Sequence, residues 1–120
     1  MRSESVNNLK TLNEPELTAL VELKQRLSET FTLREVILFG SKIRGDAEID
    51  SDLDVLVLIE EPKTWSHRLM VSDCCLEVNL AHDTNLSCLV ENHSEWQVCA
   101  EHIWVPFKDN VMREGIRIEF

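Results

Sequence analysis

Apolar runs long enough to cross a membrane are missing from this sequence. The longest, Val36-Ile37-Leu38-Phe39 and Val55-Leu56-Val57-Leu58-Ile59, fall far short of the ~20 residues a spanning helix needs. Met1-Arg2-Ser3-Glu4-Ser5 leads into polar residues and not into the apolar core of a secretory signal, so a cytoplasmic protein is expected. Glycine and proline are scarce, three of each, which excludes a disordered, collagen-like or repeat chain. Bases are outnumbered, with twelve Lys and Arg against twenty-two Asp and Glu, and the resulting net charge of −10 repels extended nucleic acid. A nucleoside triphosphate is compatible with that field, because it arrives with a divalent cation that acidic side chains can hold.

C-x-x-C spacing is absent too. Cys74, Cys75, Cys88 and Cys99 read as reduced thiols at apolar positions, and Cys88, His93, Cys99 and His102 match no zinc finger or ribbon spacing. His67 and His82 likewise show no ligand spacing and are read as surface or capping residues. In a chain with 6% aromatics, Trp65, Trp96 and Trp104 are expected to be core or interface anchors, with Trp104 the best interface candidate.

What is present is 120 residues with 43% hydrophobic content, enough for one domain spanning 1–120. Residues 1–12, with scattered Val6, Leu9 and Leu12, fit either a frayed, flexible turn or a short docking helix. Asn13, Pro15 and Glu16 form a capping-box signature ahead of Leu17, Leu20, Leu23 and Leu27, predicting a helix to about Thr30. Val36 to Phe39 and Leu53 to Ile59 read as strands buried on both faces and adjacent in the sheet. Lys42 to Ser51 allows little more than a helical turn and a loop. Thr64 caps a helix from Trp65 to about Ala81, although Cys74, Leu76, Val78 and Leu80 also alternate at strand period. A strand over Thr84 to Val90, a short helix capped by Ser94, and a helix starting at Pro106 follow. That last helix is expected to face Phe107, Val111 and Met112 inward and to stop at Gly115 before a strand over Ile116 to Phe120.

Chemistry concentrates between the first two strands, from Gly40-Ser41 to Asp52-Leu53-Asp54. Residues two apart in a strand share a face at ~6.6–6.8 Å, so Asp52 and Asp54 point the same way, and a hard cation relieves their repulsion. Gly40 permits a tight turn, Ser41 offers a hydroxyl and an amide to a phosphate oxygen, and Lys42 and Arg44 lie in the same loop. Together they suggest a metal–triphosphate clamp for phosphoryl or nucleotidyl transfer. Two plainer readings compete. Asp50, Asp52, Asp54 and Glu61 mimic EF-hand positions, but Val55 stands where that loop needs glycine. The acids could otherwise form a solvated turn.

The pattern G-S-x10-D-x-D matches the signature of the nucleotidyltransferase superfamily that includes DNA polymerase beta. GSKIRGDAEIDSDLDVLV resembles the minimal nucleotidyltransferases over about residues 36–59, and PFKDNVMREGIRI is similar to the closing helix and strand of one subgroup. The resemblance implies an α+β sandwich of the polymerase-beta palm type, a small mixed twisted sheet with helices mainly on one face. It implies that Asp52 and Asp54 are catalytic and hold Mg²⁺ or Mn²⁺, and that Gly40 and Ser41, with Lys42 and Arg44, bind the phosphates of ATP. The implied reaction is AMP transfer to a hydroxyl of a partner protein, the chain being the antitoxin of a HEPN-domain toxin; a second copy of the chain is left open as a further partner. The family also carries a third carboxylate on a later strand. Here Thr84 to Val90 has no acid in its middle: Asn85 and Ser87 occupy the relevant face, Asp83 and Glu91 the ends. Glu77 takes the position if Cys74 to Leu80 is a strand. The alternative is a weakly active or inactive module that neutralises its partner by binding alone.

Overall fold

The computed structural model describes residues 1–45 and 51–120. Residues 46–50, with Asp50 of the EF-hand-like spacing and much of the loop expected between Lys42 and Ser51, lie outside the described residues. In chain order the elements are β1 (Arg2–Ser5), a 3₁₀ turn (Val6–Asn8), α1 (Glu14–Thr30), β2 (Leu33–Phe39), α2 (Ser41–Arg44), β3 (Leu53–Ile59), α3 (Trp65–His82), β4 (Leu86–Asn92), α4 (His93–Gln97), α5 (Val105–Glu114) and β5 (Ile116–Glu119). Among the described residues the strands form one mixed sheet in the order β1-β5-β2-β3-β4. β2 runs antiparallel to β3 and β5, whereas β4 lies parallel to β3 and β1 parallel to β5.

Strand alternation divides the interior into two cores. Val36 and Leu38 of β2, with Leu53, Val55, Val57 and Ile59 of β3, pack against Leu20, Leu23 and Leu27 of α1 and Val71, Cys75 and Val78 of α3. The intervening Ile37, Leu56 and Leu58 meet Trp96, Ile103 and Val111 on the other side. The two long helices thus cover one face, as expected of this fold class, and the shorter α4 and α5 cover the other. Interior β3, buried on both faces, reads as an apolar run from Val55 to Ile59 for that reason.

Helix starts follow local chemistry. Asn13 and Glu16 form the reciprocal capping box at α1, and Thr64 accepts from the His67 amide at α3. The strand alternative for Cys74 to Leu80 is overturned: α3 is helical throughout, burying Val71, Cys75 and Val78 while Leu76 and Leu80 face outward. Residues 1–12 hold neither a frayed turn alone nor a docking helix. Arg2 to Ser5 join the sheet through β5, and the turn after them buries Val6.

Other boundaries shift for identifiable reasons. β4 begins at Leu86 rather than Thr84 because the Asn79 side chain holds the turn: its Oδ1 accepts from the Leu86 amide (2.8 Å) and from Thr84 Oγ1 (3.0 Å). Asn92, not Ser94, caps α4 by accepting from the Glu95 amide, and the same side chain donates to the carbonyls of Glu60 and Glu61. Met112 is exposed, while Val111 is buried and Phe107 stacks edge-on against Phe39 and Trp96. Gly115 ends α5 in extended backbone; a Cβ there would lie 2.4 Å from the Val111 carbonyl oxygen and 2.9 Å from Ile37, so close packing demands the glycine.

The tryptophans separate by role. Trp96 is 1% exposed at the centre of the second core, whereas Trp65 is 68% exposed, beneath the Arg68 guanidinium. Trp96→Ala is expected to cost ~3–5 kcal/mol in urea denaturation, and Trp65→Ala less than ~1 kcal/mol.

Candidate active site

The site is built where β2 hands the chain to β3. Phe39, the last residue of β2, pairs in register with Asp54, so the turn that follows must pass the Asp54 side chain. Gly40 makes that passage with φ +88°, and a Cβ at this position would sit 2.1 Å from Asp54 Oδ2. Steric fit and backbone conformation therefore both require glycine here. Its carbonyl then accepts from the amides of Ile43 and Arg44, winding Ser41 to Arg44 into the single turn of α2, which closes at Gly45 in the left-handed region. The backbone amides that open such a turn have no partner within it and face outward from its start, with the Ser41 hydroxyl on the same turn.

Asp52 stands one residue before β3, exposed, and Asp54 is half-buried. Alternation with buried Leu53 and Val55 turns Asp54 away from α1 and α3, toward the face covered by α5. Burial foremost, and the nearby Asp52 charge next, hold the Asp54 carboxyl above its ordinary range; the Arg44 guanidinium pulls it partly back. Two carboxylates in mutual repulsion at one strand end are a donor set suited to Mg²⁺, which is commonly held by one or two carboxylates with the remaining positions filled by substrate phosphate oxygens and water. Among the described residues no group of three or more His, Cys, Asp or Glu side chains is arranged to hold a metal by itself.

The two bases of α2 diverge. Lys42 turns toward α1, where its Nζ meets Glu16 Oε2 at 2.5 Å while Glu16 Oε1 accepts from the Asn13 amide. Glu16 is almost fully buried, so Lys42 braces the loop against the start of α1 and does not face Asp54. Arg44 goes the other way and meets Glu114 Oε2 at 3.1 Å, at the end of α5. Sequence reasoning missed Glu114; the one available signal was the similarity of its surrounding segment to the family's closing helix.

Of the further acids expected from the sequence, Glu77 and Glu91 are engaged elsewhere, and Asp83 lines a cavity beside Ser51. Ser87 of β4 pairs in register with Asp54 and shares its face. Glu77 lies on α3, across the sheet, bonded to Arg26 at 2.6 Å; its candidacy depended on a strand that does not exist. Asp83 caps the end of α3 with φ 54° and lines a polar cavity of about 180 Å³ together with Glu16, Lys42, Ser51 and Asn85. Glu91, four residues beyond Ser87 and thus ~13 Å along the strand, is engaged by Lys63 and His102.

A family profile for nucleotidyltransferase domains matches residues 20–116. The protein adenylyltransferase MntA of Thermococcus cleftensis is 49% identical over 51 residues, 42% of this chain and 50% of that protein, so the match spans half of its length. A provisionally assigned protein adenylyltransferase of Methanocaldococcus jannaschii is 36% identical over 86 residues, 72% of this chain and 79% of that one. Among solved structures, a toxin–antitoxin with AMP-PNP superimposes with a TM-score of 0.59 at 20% identity, covering 88% of this chain and 72% of that one.

Gly40→Ala is expected to destabilise the protein by ~1–3 kcal/mol in chemical denaturation, because either the turn or the Asp54 carboxylate must move. Adding Asp54→Ala to that variant should recover part of the loss, a coupling measurable as a double-mutant cycle.

Proposed function

Because this chain belongs to the nucleotidyltransferase domain family, we propose that it transfers AMP from ATP to a hydroxyl of a partner protein. The observation that carries this reading is the close seating of the Gly40 turn on Asp54, a carboxylate that also feels the charge of Asp52; it supports a clamp in which Ser41, next in the chain, works with both acids. The acceptor oxygen bonds to the α-phosphorus, the bond to pyrophosphate breaks, and the hydroxyl proton leaves with a base. Asp52 and Asp54 would hold Mg²⁺ or Mn²⁺; when bound, the cation neutralises phosphate charge and orients the triphosphate. Ser41 and the opening amides of α2 meet the phosphate oxygens. Arg44, held by Glu114, supplies positive charge at the same edge. Lys42 acts indirectly, by fixing the loop to Glu16.

The proton has a less obvious destination. Ser87 stands beside Asp54 where the family's further carboxylate would serve as general base, and a hydroxyl does not accept a proton near neutral pH. We therefore read the isolated chain as a slow enzyme. The partner favoured is a HEPN-domain toxin for which this chain is the antitoxin, a reading supported by the adenylyltransferase and toxin–antitoxin relatives. A second reading, neutralisation by binding alone, draws on the same Ser87 and on the outward-facing Trp65, Leu69, Leu76 and Leu80 of α3. With Asp52→Ala and Asp54→Ala together, loss of neutralisation supports catalysis and its retention supports binding alone.

With α-labelled ATP and Mg²⁺, label transfer by the chain alone is expected near background, to rise with the partner present, and to fall by at least ~10²-fold in Asp54→Asn or with a chelator. Rapid labelling of a generic hydroxyl compound by the chain alone would overturn the assignment of Ser87.

Asp54 also predicts a pH signature. Its carboxyl is raised, so the folded protein takes up that proton at a higher pH than the unfolded chain, and stability falls as pH rises through the folded value. In calorimetry without metal, Asp54→Asn should melt above the wild type at neutral pH and level with it in acid. Mg·ATP affinity of the wild type should run the opposite way, weakening as pH drops.

A further inference from the structure

Cys75 on α3 and Cys88 on β4 face each other in the first core with their sulfurs 2.9 Å apart. A disulfide needs ~2.05 Å, so closure requires a movement of less than ~1 Å. The other two thiols are placed differently. Cys74 lines a separate cavity with Arg26, Met70 and Glu77, and Cys99 packs against the second core across the sheet. None of the four is in a disulfide in this structure.

Cys88 is also reachable. A crevice of about 100 Å³ between α3 and β4, lined by Lys63, Arg68, Val71 and Ser72, ends on Cys88. At ~30 Å³ per water molecule it has room for a small oxidant such as hydrogen peroxide. The Cys88 S–H aims at the Cys75 sulfur, which lowers the Cys75 pKa against the opposing effect of burial, while the same bond and burial push Cys88 up. Cys88 is the sulfur that lines the crevice, and Cys75 stands within bonding reach of whatever forms on it.

We propose that Cys75 and Cys88 form a peroxide-oxidisable dithiol, a modification site that closes into a disulfide joining α3 to β4. One sulfur attacks the peroxide O–O bond, which breaks to give a sulfenic acid and, with the thiol proton, water. The second sulfur attacks the sulfenic sulfur, the S–S bond forms, and the hydroxyl leaves with the second thiol proton as another water. Two electrons pass from the sulfur pair to the peroxide, and a dithiol reductant reverses the change. The bridge would reinforce a junction already made by Asn79, whose side chain bonds both the amide and the carbonyl of Leu86, immediately before Ser87.

The test uses the folded full chain, hydrogen peroxide, quenching by alkylation, intact mass and peptide mapping, none of which depends on nucleotide chemistry. The expected result is loss of two hydrogens per chain, a Cys75–Cys88 linked peptide, and reversal by dithiothreitol. The same link should form in Cys74→Ser and Cys99→Ser and disappear in Cys88→Ser. Because Cys88→Ser perturbs a core position, the wild-type map decides on its own. Added oxygen without a link, a link through Cys74, or no change in mass would each overturn the proposal.

Discussion

The carboxylate of Asp54 occupies the space in which any other residue at position 40 would carry its Cβ. That exclusion ties three levels of the structure together. The register of β2 against β3 must set Phe39 opposite Asp54 so that the turn passes the carboxylate, and the two cores must grip β3 from both faces to hold that register. A half-buried anion is the cost, visible in the raised Asp54 pKa, and a cation held there, as proposed, would offset it. The protein thus carries electrostatic strain where its chemistry is proposed, a pattern common to sites that bind charge.

The turn itself is braced from two directions. Its two bases sit two residues apart, yet one reaches α1 on one face of the sheet and the other reaches the end of α5 on the opposite face. Lys42 finds a nearly buried partner in Glu16, which also serves the α1 capping box, so a single carboxylate closes a helix and anchors the loop. Arg44 contacts Glu114 while its charge is felt at Asp54. The end of α5 is therefore linked through Arg44 to the charge balance at Asp54.

What was legible in the sequence was what local chemistry writes. Asn13 and Glu16, Thr64, the glycine-serine turn and the aspartate pair each act within a few residues, and β3 is apolar from Val55 to Ile59 because both its faces are buried. What was not legible depends on residues far apart in the chain. Glu114 and Arg44 are separated by seventy positions. β1 has an almost wholly polar sequence, Arg-Ser-Glu-Ser, because an edge strand is recruited by backbone pairing with β5 and needs no apolar alternation. The strand-like spacing of Cys74 to Leu80, which offered the rival to the helix, has a related origin: Leu76 and Leu80 are apolar without being buried by this chain, so half of the alternation comes from surface residues.

The position of β5 between β1 and β2 bears on how the chain matures during synthesis. β2, β3 and β4 pair among themselves without β5, but one edge of β2 stays unpaired until that last strand is added. β1, translated earliest, waits longest for its neighbour. A chain lacking Ile116 to Glu119 would therefore present an open hydrogen-bonding edge along Ile37 and Leu38, the kind of edge that recruits chaperones or other unfinished chains.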